Sequence, residues 1–168
     1  MTDWTQLQVT LTRDDLDDMM LLQQRMLAAL PDKRWYFSSD REEFGAECDA
    51  GRASGIRVKG RLAAFAIACP ARLEPHKSYA RKLGLDEPNS LDFQDIMVDP
   101  DFRRQGIHSH FLALFERQAR SEGMTAMFCT VDPDNKPSYA SFEKAGWQRV
   151  RVQSAYDGRI RAYYRKGL

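Results

Sequence analysis

Between Arg103 and Ser109 the chain reads RRQGIHS: two arginines, a glutamine, a glycine, an isoleucine, a histidine and a serine. Upstream, Ile96, Met97 and Val98 are apolar and β-prone, and Pro100 cannot donate to a strand ladder. From Ile107 onward, Phe111, Leu112, Leu114 and Phe115 recur at helical spacing. The segment therefore reads as strand, turn, helix. A helix opening on such a turn presents backbone N–H groups without intrahelical partners at the positive end of its dipole, which suits an anion. Gly106 lets an oxyanion approach the backbone, and Arg103 and Arg104 add charge and forked donors. A pyrophosphate would lie against the amides of Arg104, Gln105, Gly106, Ile107, His108 and Ser109, with the Ser109 hydroxyl as a further donor. A plain strand-to-helix turn carrying surface arginines is the competing reading.

Two carboxylates lie on the strand that delivers this turn. Alternation puts Asp92, Gln94, Ile96 and Val98 on one face and Phe93, Asp95 and Met97 on the other. Either acid could accept a proton, or simply be solvated at a strand start. Cys48, Cys69 and Cys129 are odd in number, widely spaced and without a CxxC pair, so they read as reduced thiols and not as a zinc site or disulfide frame.

The elements that must position these residues follow from periodicity. Leu7–Leu11 alternates as a first strand. Thr12 caps a helix whose stripe is Leu16, Met19, Met20, Gln23, Met26, Leu27 and Leu30. Lys33–Ser39 is a loop with three adjacent aromatics, followed by a helical turn over Arg41–Ala46 behind Ser39 or Asp40. Gly51–Val58 and Arg61–Cys69 pair around Lys59-Gly60. Pro70–Asn89 is a polar excursion with a short helix near Ser78–Leu83. Leu91–Val98 is the central strand, followed after the turn by a helix, the strand Thr125–Val131 and the helix Pro137–Ala145, which Gly146 ends. Gln148–Tyr156 and Arg159–Tyr164 close the chain around Asp157-Gly158.

The chain has 168 residues, 43% of them hydrophobic, and formal net charge +1. That suits one domain over residues 1–168, with no basic field for nucleic acid. No segment is long and apolar enough to span a membrane, and no secretory signal is evident, so a cytoplasmic protein is expected. Basic residues of the C-terminal hairpin alternate with apolar ones and read as solvated faces.

Asp95–Leu112 resembles motif A of the GNAT superfamily of acyl-CoA-dependent N-acyltransferases. Val98, Pro100, Arg103 and Gly106 match its V-x-P-x-x-[RQ]-x-x-G-x-[GA] pattern, and His108 replaces the final small residue. Asn135–Trp147 is similar to the family's N-x-x-A-x-x-[LF]-Y-x-K-x-G-F, with Asn135, Lys144 and Gly146 kept and Trp147 in place of Phe. The resemblance implies an α/β fold with a mixed, splayed central β-sheet flanked by helices on both faces. It implies acetyl-CoA as co-substrate, no metal, and direct attack by an amine. Met97 and Val98 would pair their backbone with the pantetheine arm, and Asn135 would hold the arm or stabilise its own turn. The family's base position, six residues before Val98, is Asp92, with Asp95 second. The family's proton-donating tyrosine position is Phe142, which has no proton to give; Tyr139, three residues earlier, is the substitute.

Trp35, Tyr36, Phe37, His76 and Tyr79 are candidates to line the acceptor pocket, core closure being the alternative for the aromatics. The expected activity is acetyl transfer to a primary amine of a small molecule or peptide. A non-catalytic acyl-CoA-binding module and a longer acyl donor are the alternatives, and whether the final hairpin forms a homodimer stays open.

Overall fold

A computed structural model describes residues 2–168 of the chain. Its strands are β1 (Gln8–Thr10), β2 (Ala53–Val58), β3 (Arg61–Pro70), β4 (Ser90–Val98), β5 (Ala126–Val131), β6 (Gln148–Ser154) and β7 (Ile160–Gly167). Its helices are α1 (Leu16–Ala28), α2 (Arg41–Asp49), α3 (Tyr79–Lys82), α4 (Ile107–Ser121) and α5 (Lys136–Lys144). The fold is α/β with one mixed seven-stranded sheet in the order β1-β2-β3-β4-β5-β7-β6. Strands β4 and β5 run parallel; β1–β2, β2–β3, β5–β7 and β6–β7 are antiparallel. The backbone forms two compact units. One takes residues up to Ile67 with Asp95–Phe111, the other Ala68–Gln94 with Leu112–Leu168.

In the first unit Leu16, Met19, Leu22 and Met26 of α1 are buried with Phe44 and Cys48 of α2, Phe65 and Ile67 of β3, and Met97 of β4. Phe44 meets Phe65 edge-on at 5.3 Å. Asp15 accepts the Thr12 N–H at 2.8 Å just before α1. Helix α2 starts on a reciprocal cap: Asp40 accepts the Glu43 N–H at 2.9 Å while Glu43 accepts the Asp40 N–H at 2.8 Å. Helix α2 runs on to Asp49, past the expected Ala46. The β2–β3 turn has Lys59 at φ 49° and Gly60 at φ 82°, both left-handed, as a tight hairpin requires. Leu7 closes a 3-10 turn from Trp4, so the first strand is shorter than alternation suggested.

In the second unit Tyr79, Ala80 and Leu83 pack with Ala126, Phe128 and Tyr163. Phe93 meets Phe115 and Phe142 edge-on at 5.2 and 6.0 Å. The parallel pairing of β4 with β5 runs from Ser90↔Ala126 to Phe93↔Cys129 and stops there. Gly146, at φ 87°, ends α5, and the Trp147 N–H returns to the Phe142 carbonyl at 3.1 Å.

Strict alternation fails along β4. Asp99 N–H bonds the Ala63 carbonyl and Ala71 N–H bonds the Ser90 carbonyl, so β4 spends one residue more than β3 between these bonds. An extra residue is a bulge, and it switches the faces beyond it. Phe93 accordingly packs on Phe115 and Phe142, whereas Met97 joins the α1–α2 core. The expected shared face of Phe93, Asp95 and Met97 is corrected on that ground.

Candidate active site

In the first unit the chain leaves β4 at Val98 and is held from behind. Asp99, its side chain 1% exposed, accepts from Arg25 at 2.9 and 3.1 Å, from Arg61 at 2.6 Å and from the Asp101 amide at 3.0 Å. Burial works to raise its pKa, but the guanidiniums and that amide win and hold it at about 2. Pro100–Phe102 then form one 3-10 turn.

Arg104 (φ 61°) and Gly106 (φ 83°) take left-handed conformations on either side of Gln105. The Gln105 carbonyl accepts the indole N–H of buried Trp4 at 3.0 Å. Across a trans peptide the next N–H points opposite to the carbonyl, so the Gly106 amide is turned away from Trp4. A Cβ built on Gly106 would meet nothing within 4 Å. Glycine is needed here for its φ, and the space over it is open.

The first backbone bond of α4 runs from His110 N–H to the Gly106 carbonyl at 2.9 Å, which leaves the preceding first-turn amides outside the ladder. Ile107 and Phe111 are buried and anchor the helix, while Arg103, Arg104, Gln105, Gly106 and Ser109 are exposed. Among the described residues neither Arg103 nor Arg104 enters an ion pair. His108 is half-buried, and burial pushes its imidazole down to about 4, so it brings no charge to the turn at neutral pH. His110 is half-buried, with its Nε2 3.0 Å from Gln8 Oε1.

Asp95 lies in the same unit. The Tyr36 hydroxyl donates to its Oδ1 at 2.8 Å, joining an acceptor-loop candidate to a base candidate. Burial raises Asp95 to about 6 against the pull of that bond, and the charges of Glu47 and Glu43 push the same way as burial. Tyr36 packs against the core, Trp35 is half-buried at the end of a short turn that Asp32 caps, and Phe37 is 42% exposed.

In the second unit Asp92 is 3% exposed. Its Oδ2 accepts the Tyr79 N–H at 3.2 Å, while its Oδ1 is buried with no hydrogen-bond partner among the described residues. Burial lifts Asp92 to about 7; the Tyr79 amide and the Lys82 ammonium pull it down less. Tyr79 thus reaches the acid through its backbone and not its hydroxyl. Cys129 is buried, and its thiol is pushed well up by burial and by the Asp92 charge, so it is no nucleophile.

Tyr139 is half-buried on α5, with the Arg149 guanidinium 5.4 Å from its ring centre. Phe142 is closed in by Phe93, Trp147 and Tyr164 and belongs to the apolar packing. Asn135 caps α5 by accepting the Ser138 N–H at 3.3 Å, which favours the structural of its two expected roles.

The sequence profile of the Acetyltransferase (GNAT) family matches residues 16–147. The chain belongs to this family. It is accordingly an acyltransferase of the N-acetyltransferase type. No curated protein matches it in sequence. Among solved structures it is similar to the ribosomal-protein-S18-alanine N-acetyltransferase of Escherichia coli, at 20% identity and TM-score 0.69, covering 95% of this chain and 92% of that one. It is similar to the PaiA N-acetyltransferase of Thermoplasma acidophilum in complex with coenzyme A, at 12% identity and TM-score 0.68, covering 96% and 98%. A GNAT-family acetyltransferase of Listeria monocytogenes is similar at 14% identity and TM-score 0.74, covering 96% and 94%. At these identities the likeness shows the fold.

Within the GNAT frame, sequence reasoning missed Trp4, Arg25, Arg61 and Lys82. The first three hold the turn from positions far away in the chain and carry no local signal. Lys82 lies in the short helix expected near Ser78–Leu83, but its neighbours carry no local signal.

Proposed function

We propose that this GNAT domain transfers an acetyl group from acetyl-CoA to a primary amine of a small molecule or peptide by direct attack. One observation carries the reading. The left-handed pair Arg104 and Gly106, fastened from behind by Trp4, puts exposed arginines and ladder-free amides together at the start of α4. That donor set fits a diphosphate.

The bound coenzyme supplies a thioester whose carbonyl is open to attack. Met97 and Val98 offer backbone groups to its amide-rich arm, as a neighbouring strand would. The acceptor enters as an ammonium and must lose a proton before its nitrogen attacks. Asp92, held near neutrality by burial, takes that proton; Asp95 with Tyr36 is the second candidate. As the new C–N bond forms and the C–S bond breaks, the thiolate departs with the electron pair, and the nitrogen sheds its second proton, which balances the one given to the thiolate. Tyr139 is the assigned proton donor to it, because Phe142 has none.

The E. coli neighbour is named for a ribosomal-protein alanine acceptor, which supports an amine, free or peptide-borne. The three cysteines are free and buried, which supports a reducing, cytoplasmic setting. No helix among the described residues is long and apolar enough to cross a membrane. The buried Phe142 favours a second reading, a module that binds acyl-CoA without turnover. Thiol release from acetyl-CoA across an amine panel separates the two. The transferase releases thiol in proportion to amine; tight coenzyme binding with no release on any amine supports the module instead.

A further inference from the structure

The polar groups around Tyr79 are unevenly satisfied. Lys82, one helical turn along α3, enters no ion pair among the described residues. Its ammonium lies 5.5 Å from the centre of the Tyr79 ring and 5.8 Å from that of Tyr156. Arg161, in the same unit, has the Asp132 carboxylate at 3.1 Å and the Tyr156 hydroxyl at 3.2 Å. Tyr79 also holds Asp92 through its amide, and the other carboxylate oxygen of that buried acid has no partner. Two deficits of opposite sign therefore meet at α3, which carries Lys82 and whose Tyr79 amide holds Asp92 of β4: among the described residues one Asp92 oxygen lacks a donor, and Lys82 lacks an ion-pair partner.

We propose that Lys82 and Asp92 together select acceptors that carry a carboxylate beside the amine that reacts. The ammonium of such a molecule meets Asp92, and its carboxylate meets Lys82. Lys82 is exposed on α3, so its ammonium is open to an arriving carboxylate, and the nearby charge of Asp92 acts on it from a distance without an ion pair. The tyrosine faces stabilise the charge meanwhile without neutralising it. This inference rests on the acetyltransferase reading and narrows its acceptor.

The test is thiol release from acetyl-CoA with matched acceptor pairs. Free α-amino acids are set against their decarboxylated amines, and peptides beginning with Asp or Glu against those beginning with Ala. Wild type should favour the carboxylate member by about fivefold in kcat/KM, through KM, in the arm that supplies the natural source. Lys82→Met should collapse that ratio towards one, and Lys82→Arg, which keeps the charge, should restore most of it. Equal kcat/KM within every pair, or a preference that Lys82→Met leaves intact, overturns the proposal while the transferase reading stands. No thiol from any amine, with coenzyme still bound, overturns that reading and this proposal with it.

Discussion

Asp99 and Asp92 are both aspartates on or just after β4, both nearly inaccessible, and they sit on opposite sides of the ordinary value of 3.8. Asp99 has two guanidiniums against it and falls to about 2. Asp92 has one backbone amide and a lysine acting at a distance, and rises to about 7. Burial is common to both; the counter-charge decides. A buried acid that is fully paired pins structure, and one left with an open oxygen is ready to exchange a proton.

The largest effect should come from the unpaired acid. Asp92→Asn should lower kcat by about a hundredfold or more, a typical value for a lost general base, and remove an acidic limb near pH 7 from the rate profile. Asp95→Asn should leave that limb in place. If the limb instead vanishes with Asp95 and survives in Asp92→Asn, the base is Asp95.

Stability should split the pair with opposite signs. The folded pKa of Asp99 lies below its unfolded value, so its contribution is present above about pH 4 and is lost as pH falls through about 2. The folded pKa of Asp92 lies above its unfolded value, so its contribution is full below about pH 4 and is lost as pH rises through about 7. At pH 8, Asp99→Asn should therefore cost about 2 kcal/mol and Asp92→Asn should stabilise by about 1–3 kcal/mol. Denaturant melts of the two variants check this, and a shift of the same sign in both would break the contrast.

Smaller effects belong to the turn that follows. Arg104→Glu should weaken coenzyme binding by about tenfold, less so at high salt. Trp4→Phe removes one hydrogen bond of about 1 kcal/mol from the Gln105 carbonyl and should weaken binding only severalfold. Equilibrium titrations measure both, and unchanged affinity in both would detach the turn from coenzyme binding.

What could be read from the letters follows the range of the interactions. The turn is contiguous, so Pro100, Gly106 and the apolar spacing from Ile107 announced it. The α5 cap at Asn135 and the hairpin at Lys59-Gly60 were equally local. The bulge in β4 was illegible, because alternation carries no mark of an extra residue until its partner strand is known. The environment of Asp92 was hidden for a similar reason: the amide that holds it comes from the Pro70–Asn89 excursion, whose path no periodicity describes. Trp4 lies at the other end of the chain from the carbonyl it binds.

Calorimetric titration of the intact protein with CoA and with pantetheine, which lacks the diphosphate, addresses the grip of the turn most directly. CoA should bind with measurable heat and at least about a hundredfold more tightly than pantetheine. No heat from CoA, or equal affinity for the two, would contradict a diphosphate held at the start of α4.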